Sequence, residues 1–408
     1  MTVLDFPLRA ASGRRLHVGL LAGAGGLGAL SGFGLLADFE IFVFTSLVVL
    51  AVLQARHGPV AVAIWGGAYV ATTGIWLWPA ANGALEIVML GAGLPILGAG
   101  FYGGAVWALS SVARLPLLAS FPIGLALAEL VAAIWGFSLA PIGLALIGSG
   151  GEWVVGGLGV YGGTLIMALI AAGLARYRER GLWAAHVLAL IAIIVPPLER
   201  PEYVGPSYTA AATHPDPFEK WDPAHAKARF VELVTQSGVS EADLTIWPEN
   251  SVLTTLRVDV AVAEIPDTAL PVLFGMKMID PTTGDLKNGA IYVDANRDVQ
   301  ITSKEQLVPV IESGPAWLGR SGLTEGTRSR IDLGQGTSIL ALICYENAFG
   351  MFRRSNVDDV SAIFVLAAET GFWDSVGSAL MDRHIRAREL ETGLPVIKVS
   401  DVLQEPGI

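Results

Sequence analysis

Cysteine is almost absent: Cys344 is the only one in 408 residues. A single thiol can form no intrachain disulfide, so no cross-link supports the fold and cysteine usage says nothing about compartment. The six histidines are scattered without ligand spacing, and no Cys/His pair suggests zinc. Neither a metal nor a cofactor is therefore expected. Lysine is missing from residues 1–196, which hold 8 arginines and 7 acidic residues; the other 18 basic and 30 acidic residues lie in 197–408. Charge is scarce overall, at 15% against 53% hydrophobic, a balance that points to a membrane protein. The net charge of −11 falls almost wholly in the second half and argues against a nucleic-acid partner.

The first half consists of apolar runs near the roughly 20 residues that cross a hydrocarbon core. Seven spans are predicted, at 16–37, 39–55, 59–79, 85–109, 115–135, 154–175 and 182–197. Arg9, Arg14 and Arg15 precede the first; Arg56, Arg114, Arg176, Arg178 and Arg180 fall in the second, fourth and sixth loops. The opposite loops carry only acids, Asp38, Glu40, Glu86 and Glu152. The positive-inside rule then puts the N-terminus in the cytoplasm, and an odd number of spans puts 198–408 in the periplasm of a bacterial inner membrane. GAGGLG at 23–28 matches the dinucleotide fingerprint in form only. No strand precedes it, and small-residue helix packing explains it better. Glu129 is the one acid well inside a span, either functional or hydrogen-bonded between helices. The short apolar segment 137–150 suits a re-entrant or interfacial element.

Prolines 196, 197, 201 and 206 mark the exit from the apolar half, giving domains of 1–197 and 198–408. Tyr208–Thr213 reads as a weak strand. Asp222 and Pro223 supply the N-cap and first turn of a helix that Gly238 stops. LTIW is a strand delivering Glu249, and 270–280 and 288–299 form a strand pair around the turn PTTGD. Lys304 precedes the short apolar segment LVPVI, and 313–337 reads as a long loop. SILALIC is a doubly buried strand ending at Cys344; AIFVLAA is another, followed by a charged helix and the strand LPVIKVS. A lone cysteine is more often core filler than nucleophile. A thiol, a carboxylate and an amine, each near the end of an apolar run, nevertheless make a coherent nucleophile, base and oxyanion stabiliser.

WPEN, K-x-x-LVP-x-x-E and CYE, in that order and spacing, resemble the Glu-Lys-Cys motifs of the nitrilase (carbon-nitrogen hydrolase) superfamily. Within it the chain is most similar to the apolipoprotein N-acyltransferase branch, which also places a polytopic membrane region before its nitrilase domain. The shorter TraB conjugal-transfer proteins of rhizobial and agrobacterial plasmids share that layout. The resemblance implies about seven membrane helices followed by an α/β nitrilase-like αββα sandwich. It also implies catalytic Glu249, Lys304 and Cys344, with Glu312 and Glu346 supporting: Cys344 attacks an acyl carbonyl, Glu249 moves the proton and Lys304 holds the oxyanion. The implied partners are a phospholipid acyl donor, a lipoprotein or other amine acceptor, and the conjugation apparatus. A hydrolase of amides or esters, and a non-catalytic accessory, are the alternatives.

The chain departs from the family pattern in several places. Ala368 and Gly371 replace an Asn and a Trp, LVPVIE lacks a glycine before Glu312, and Ser400-Asp401 replaces Thr-Asn. The sandwich is expected to be truncated at its C-terminus.

Overall fold

The computed structural model describes residues 10–37, 40–75, 77, 88–138, 140–176, 195–213, 222–308, 312, 322–349, 357, 359–370 and 376–401. The chain divides into two compact units, one of 1–132, 139–151 and 160–196, the other of 133–138, 152–159 and 197–408. Two short pieces of the apolar half thus group with the second unit.

The apolar half folds as helices α1 (Ala10–Leu36), α2 (Glu40–His57), α3 (Pro59–Thr73), α4 (89–112), α5 (Leu117–Ile134) and α6 (Glu152–Arg176). Gly91–Val112, Gly19–Leu36 and Glu152–Arg176 are long and apolar enough to cross a membrane; Ile41–His57, Pro59–Thr73 and Ala119–Ile134 are apolar but shorter. The seventh expected run, 182–197, lies outside the described residues except for 195–197, as do Arg9, Arg178, Arg180, Asp38 and Glu86. Helix α6 is broken at Gly159, whose φ of 72° and ψ of 173° are open to glycine and costly for any residue with a Cβ.

The GAGGLG glycines lie inside α1, and a Cβ on Gly28 would meet the Trp65 carbonyl oxygen at 2.2 Å. Gly28 therefore permits close contact between α1 and α3, as small-residue packing requires, whereas a Cβ on Gly23 or Gly26 would meet nothing within 4 Å. Glu129 is hydrogen-bonded between helices. Its carboxylate accepts from the Tyr102 hydroxyl (3.0 Å), the Thr164 hydroxyl (2.6 Å) and the Ile142 N–H (2.7 Å). It thereby holds the short 3-10 turn Ile142–Leu146, and Thr164 accepts from Gly143 N–H at 2.8 Å on the same turn. The unexpected companions Tyr102 and Thr164 leave this carboxylate fully partnered.

In the second unit, strands β1 (Tyr208–Ala210), β2 (Leu244–Ile246), β3 (Val272–Ile279), β4 (Leu286–Val293) and β5 (Val299–Ser303) form one sheet in that order. Strands β6 (Arg330–Gly334), β7 (Thr337–Ile343), β8 (Ala362–Ala367) and β9 (Val396–Ser400) form the other. Helices α7 (Pro223–Gly238), α8 (Val258–Glu264) and α9 (Val376–Thr392) complete the unit. Period-2 alternation sorts the strands into layers. Leu273 on β3 and Ile339, Ala341 and Ile343 on β7 fill a core between the sheets. Val272, Phe274, Met276 and Met278 face α7 and α8. Leu340 and Leu342 pack with Ile385 of α9. The result is an αββα stack with mixed sheets. The last described strand is β9, and residues 402–408 lie outside the described residues.

Several readings need correction. The loop 313–337 contains β6, paired antiparallel with β7 across the turn Gly334-Gln335-Gly336, where all three residues have positive φ. Its alternating, half-exposed RIDLG carries too little apolar signal to stand out from a glycine-rich neighbourhood. VQITS, unread in the sequence, is β5. Asp222 caps α7 as expected, accepting from Ala224 N–H at 2.9 Å.

Glu152, taken as a loop acid, is 1% exposed. It forms a two-point pair with the Arg386 guanidinium, at 3.1 and 2.6 Å, and accepts from Leu198 N–H at 2.9 Å. The charged helix α9 is correspondingly a buried one: Arg383, His384, Arg386, Arg388, Glu389 and Glu391 are all under 9% exposed.

Candidate active site

Glu249, Lys304 and Cys344 each stand just beyond a strand of the second unit. Glu249 follows β2, whose exit is anchored by Trp247, its indole N–H donating to Ser237 at 2.8 Å. The next residue, Asn250, has φ 56° and turns the chain back. Ser251 N–H then donates to Gly275 O at 2.9 Å. Gly275 must be small: a Cβ there would lie 2.7 Å from the Glu249 Cα. Lys304 directly follows β5, and its N–H donates to Asn288 O at 2.8 Å. Cys344 ends β7 with φ 51° and opens the 3-10 turn Cys344–Ala348. A non-glycine residue in left-handed conformation is a strained position that collects at functional sites. It aims the side chain out of the strand axis, and nothing in SILALICYEN signals it.

The three residues come together in a dry interior, with Lys304 1%, Glu249 5% and Cys344 8% exposed. The Lys304 ammonium lies 2.9 Å from Glu312 and 4.0 Å from Glu249. Glu312 also accepts from Val308 N–H at 2.7 Å. The neighbouring 309–311 and 313–321 lie outside the described residues. Glu249 accepts from the Asn288 amide at 2.7 Å. Asn288 thus ties the carboxylate through its side chain and the lysine through its carbonyl. It was missed in the sequence, though its polarity inside the buried face of an otherwise apolar strand was the available signal.

Glu346 does not face this centre. It is a buried clamp, accepting from Ile343 N–H (2.9 Å), Glu305 N–H (2.8 Å) and the Arg328 guanidinium (2.7 Å). Through it the turn bearing Cys344 is joined to the residue after Lys304. Arg328, unnoticed in the sequence, completes the clamp. Tyr345 packs as expected: its ring meets Phe349 edge-on at 5.0 Å and its hydroxyl donates to Gly136 O at 3.1 Å.

Burial pushes the Cys344 thiol well above its ordinary value, and the charges of Glu249 and Glu312 add to the rise; Lys304 and a hydrogen bond from the Ala368 N–H oppose it. The cation expected to help ionise the thiol is therefore outweighed, and the resting group is a neutral thiol. Burial alone would lower the Lys304 ammonium, but Glu312, Glu249 and Cys344 reverse this and hold it above its ordinary value. The site at rest is a neutral thiol beside a fixed ammonium and two carboxylates. Such a set can pass the thiol proton to a carboxylate as a carbonyl is attacked, with a cation ready for the oxyanion. Among the described residues no group of His, Cys, Asp and Glu could hold a metal ion.

Residues 209–408 match the family model described as carbon-nitrogen hydrolase. The apolipoprotein N-acyltransferases of Brucella suis biovar 1 and Brucella melitensis biotype 1 are each 28% identical over 213 residues, which cover 45% of this chain. The match spans 40% of the length of those curated relatives. A CN-hydrolase superfamily protein of Xanthomonas campestris, solved with an arsenic adduct in its active site, aligns at 18% identity and a TM-score of 0.35, over 48% of this chain and 76% of that one. A branch 10 nitrilase-superfamily protein of Saccharomyces cerevisiae aligns at 13% identity and a TM-score of 0.35, over 49% and 75%.

Proposed function

We propose, from the premise that residues 209–408 form a carbon-nitrogen hydrolase domain, that the chain moves an acyl group through a thioester on Cys344 to an amine. The observation that carries this reading is the convergence of Glu249, Lys304 and Cys344, from three strand ends, with Glu312 beside the lysine, into one buried centre. Glu249 takes the thiol proton as Cys344 attacks the donor carbonyl and gives it to the departing alcohol as the ester C–O bond breaks. Lys304 faces the oxygen as it gains charge, and Glu312 keeps the ammonium in place. The acyl chain then stays on sulfur until an amine attacks the thioester; Glu249 takes the amine's proton and returns it to the Cys344 sulfur as the C–S bond breaks.

Similarity to apolipoprotein N-acyltransferases supports a phospholipid as donor and a lipoprotein or other amine as acceptor. The apolar half fits a multi-span base in a bacterial inner membrane. The alternation of arginine-bearing and acid-bearing loops supports seven spans, a cytoplasmic N-terminus and a periplasmic catalytic domain. A reporter fused after Ile408 should then be active only in exported form. A part in plasmid conjugal transfer rests on shared layout alone; deleting the gene from such a plasmid should lower transfer frequency, and Cys344→Ala should reproduce the loss.

The direct test is the acyl-enzyme. Protein given phospholipid without an amine should gain the mass of one fatty acyl group, labile to neutral hydroxylamine and absent in Cys344→Ala. Failure to form the adduct with a competent lipid preparation would remove the acyltransferase reading. The family description supports hydrolysis as the second reading; a Cys344→Ala phenotype without any lipid adduct would select it.

A further inference from the structure

The turn after β8 carries more buried charge than packing requires. In the second sheet Ile343 pairs with Leu366, and Ala367 pairs with Ser400. This register brings Cys344, Ala368 and Asp401, each just beyond its strand, to the same end of the sheet. The Ala368 N–H donates to the Cys344 sulfur. Asp401, 3% exposed, accepts from the next two amides of that turn, Glu369 N–H at 2.7 Å and Thr370 N–H at 3.1 Å. The Glu369 carboxylate is in turn held by Lys398 at 2.9 Å, which also binds Asp382 at 2.7 Å and the Ser378 hydroxyl at 3.0 Å.

Burying Asp401, Glu369 and Lys398 is expensive, and apolar residues of similar size would close the sheet edge at lower cost. What the charges add is a fixed backbone direction. Asp401 grips the two amides that follow Ala368, and Lys398 grips the side chain between them. We infer that Asp401 is a positioning residue for the nucleophile, holding the 368–370 turn so that the Ala368 N–H points at the Cys344 sulfur. A hydrogen bond donated to sulfur favours the thiolate, so this amide acts alongside Lys304 against the two carboxylates. Among the described residues the charged groups around the thiol are Glu249, Lys304 and Glu312, and those around the turn are Glu369, Asp382, Lys398 and Asp401. Sequence and structure meet here: the family's Asn and Thr-Asn positions are Ala368 and Ser400-Asp401 in this chain. The turn is thus held by a carboxylate on its backbone amides.

The inference deepens the reading of Cys344 as nucleophile. Its test follows ionisation of the thiol, not acyl transfer, so the two can fail separately. Cys344 is the only cysteine, so alkylation of the intact chain by iodoacetamide reports on it alone. In Asp401→Ala the rate at pH 8 should fall about fivefold, the worth of one modest hydrogen bond, with the pH profile displaced upward. Asp401→Asn keeps an acceptor and should restore both. A turn that merely seals the pocket predicts the opposite sign, because loosening it would expose the thiol and speed alkylation. Faster or unchanged alkylation in a folded Asp401→Ala protein therefore overturns the inference. If that variant does not fold, Lys398→Met, which releases Glu369, Asp382 and Ser378 but leaves Asp401 on its amides, should show a smaller slowing with the same displacement; a faster or unchanged rate there overturns it equally.

Discussion

Lys304→Met removes the single cation of the site while keeping the length of the side chain. The ammonium is 1% exposed, 2.9 Å from Glu312 and 4.0 Å from Glu249. At an effective dielectric constant of about 20, unit charges about 4 Å apart attract by roughly 4 kcal/mol before desolvation is subtracted. Stripping one partner from a buried ion pair destabilises by about 3–5 kcal/mol, because the survivor stays buried and uncompensated. The variant should therefore lose about 3–5 kcal/mol at pH 7. A lysine held above its ordinary value of 10.5 contributes fully below that pH and loses its contribution only as the pH rises through the folded value. Parent stability should thus be insensitive to this group between pH 6 and 10. Lys304 is also the charge that favours the Cys344 thiolate, so alkylation of the variant should slow. Denaturant titrations from pH 5 to 8, paired with iodoacetamide rates, measure both effects. A variant as stable as the parent at pH 7, with an unchanged alkylation rate, would refute the geometry.

Glu249→Gln should separate reactivity from catalysis. It removes a charge that opposes thiol ionisation, so alkylation accelerates, while loss of the base should slow acyl-enzyme formation by roughly 10²–10⁴; acyl-enzyme formation at the parent rate would deny Glu249 its role as base. Gly275→Ala forces a Cβ to 2.7 Å from the Glu249 Cα and should destabilise by about 1–3 kcal/mol, with acylation affected more than alkylation; parent-like stability and acylation would count against the close approach. Glu152→Gln leaves the buried Arg386 guanidinium with one carboxylate fewer and should cost about 3 kcal/mol in denaturant titrations. Arg257→Ala, which breaks a pair with the exposed Asp259, is its control and should leave the midpoint unchanged.

The sequence by itself determined the contrast between an apolar first half and a charged second half, most of the strands, and the thiol, carboxylate and amine at their ends, features that rest on local chemistry; the αββα layering and the place of Glu312 were implied by the resemblance to the nitrilase superfamily. Unbroken apolar runs, period-2 alternation and a polar residue at a strand's exit are written in consecutive residues, and Asp222-Pro223 caps α7 for the same reason. Strands β5 and β6 were hidden because an edge position leaves them half polar, and a pattern of burial becomes visible only once the neighbour that buries it is known.

Tertiary structure decided the electrostatics. Whether Lys304 ionises Cys344 depends on how deeply both are buried and on how many carboxylates stand nearby, and desolvation wins. The sequence shows α9 only as a charged helix and Glu152 only as a loop acid, yet Arg386 and Glu152 are paired inside the second unit across 234 positions of chain. Asn288 and Asp401 acquired their places from strand register alone. A side chain's identity fixes which bonds it can make; only the folded chain fixes which partners are within reach and how little water is left to compete with them.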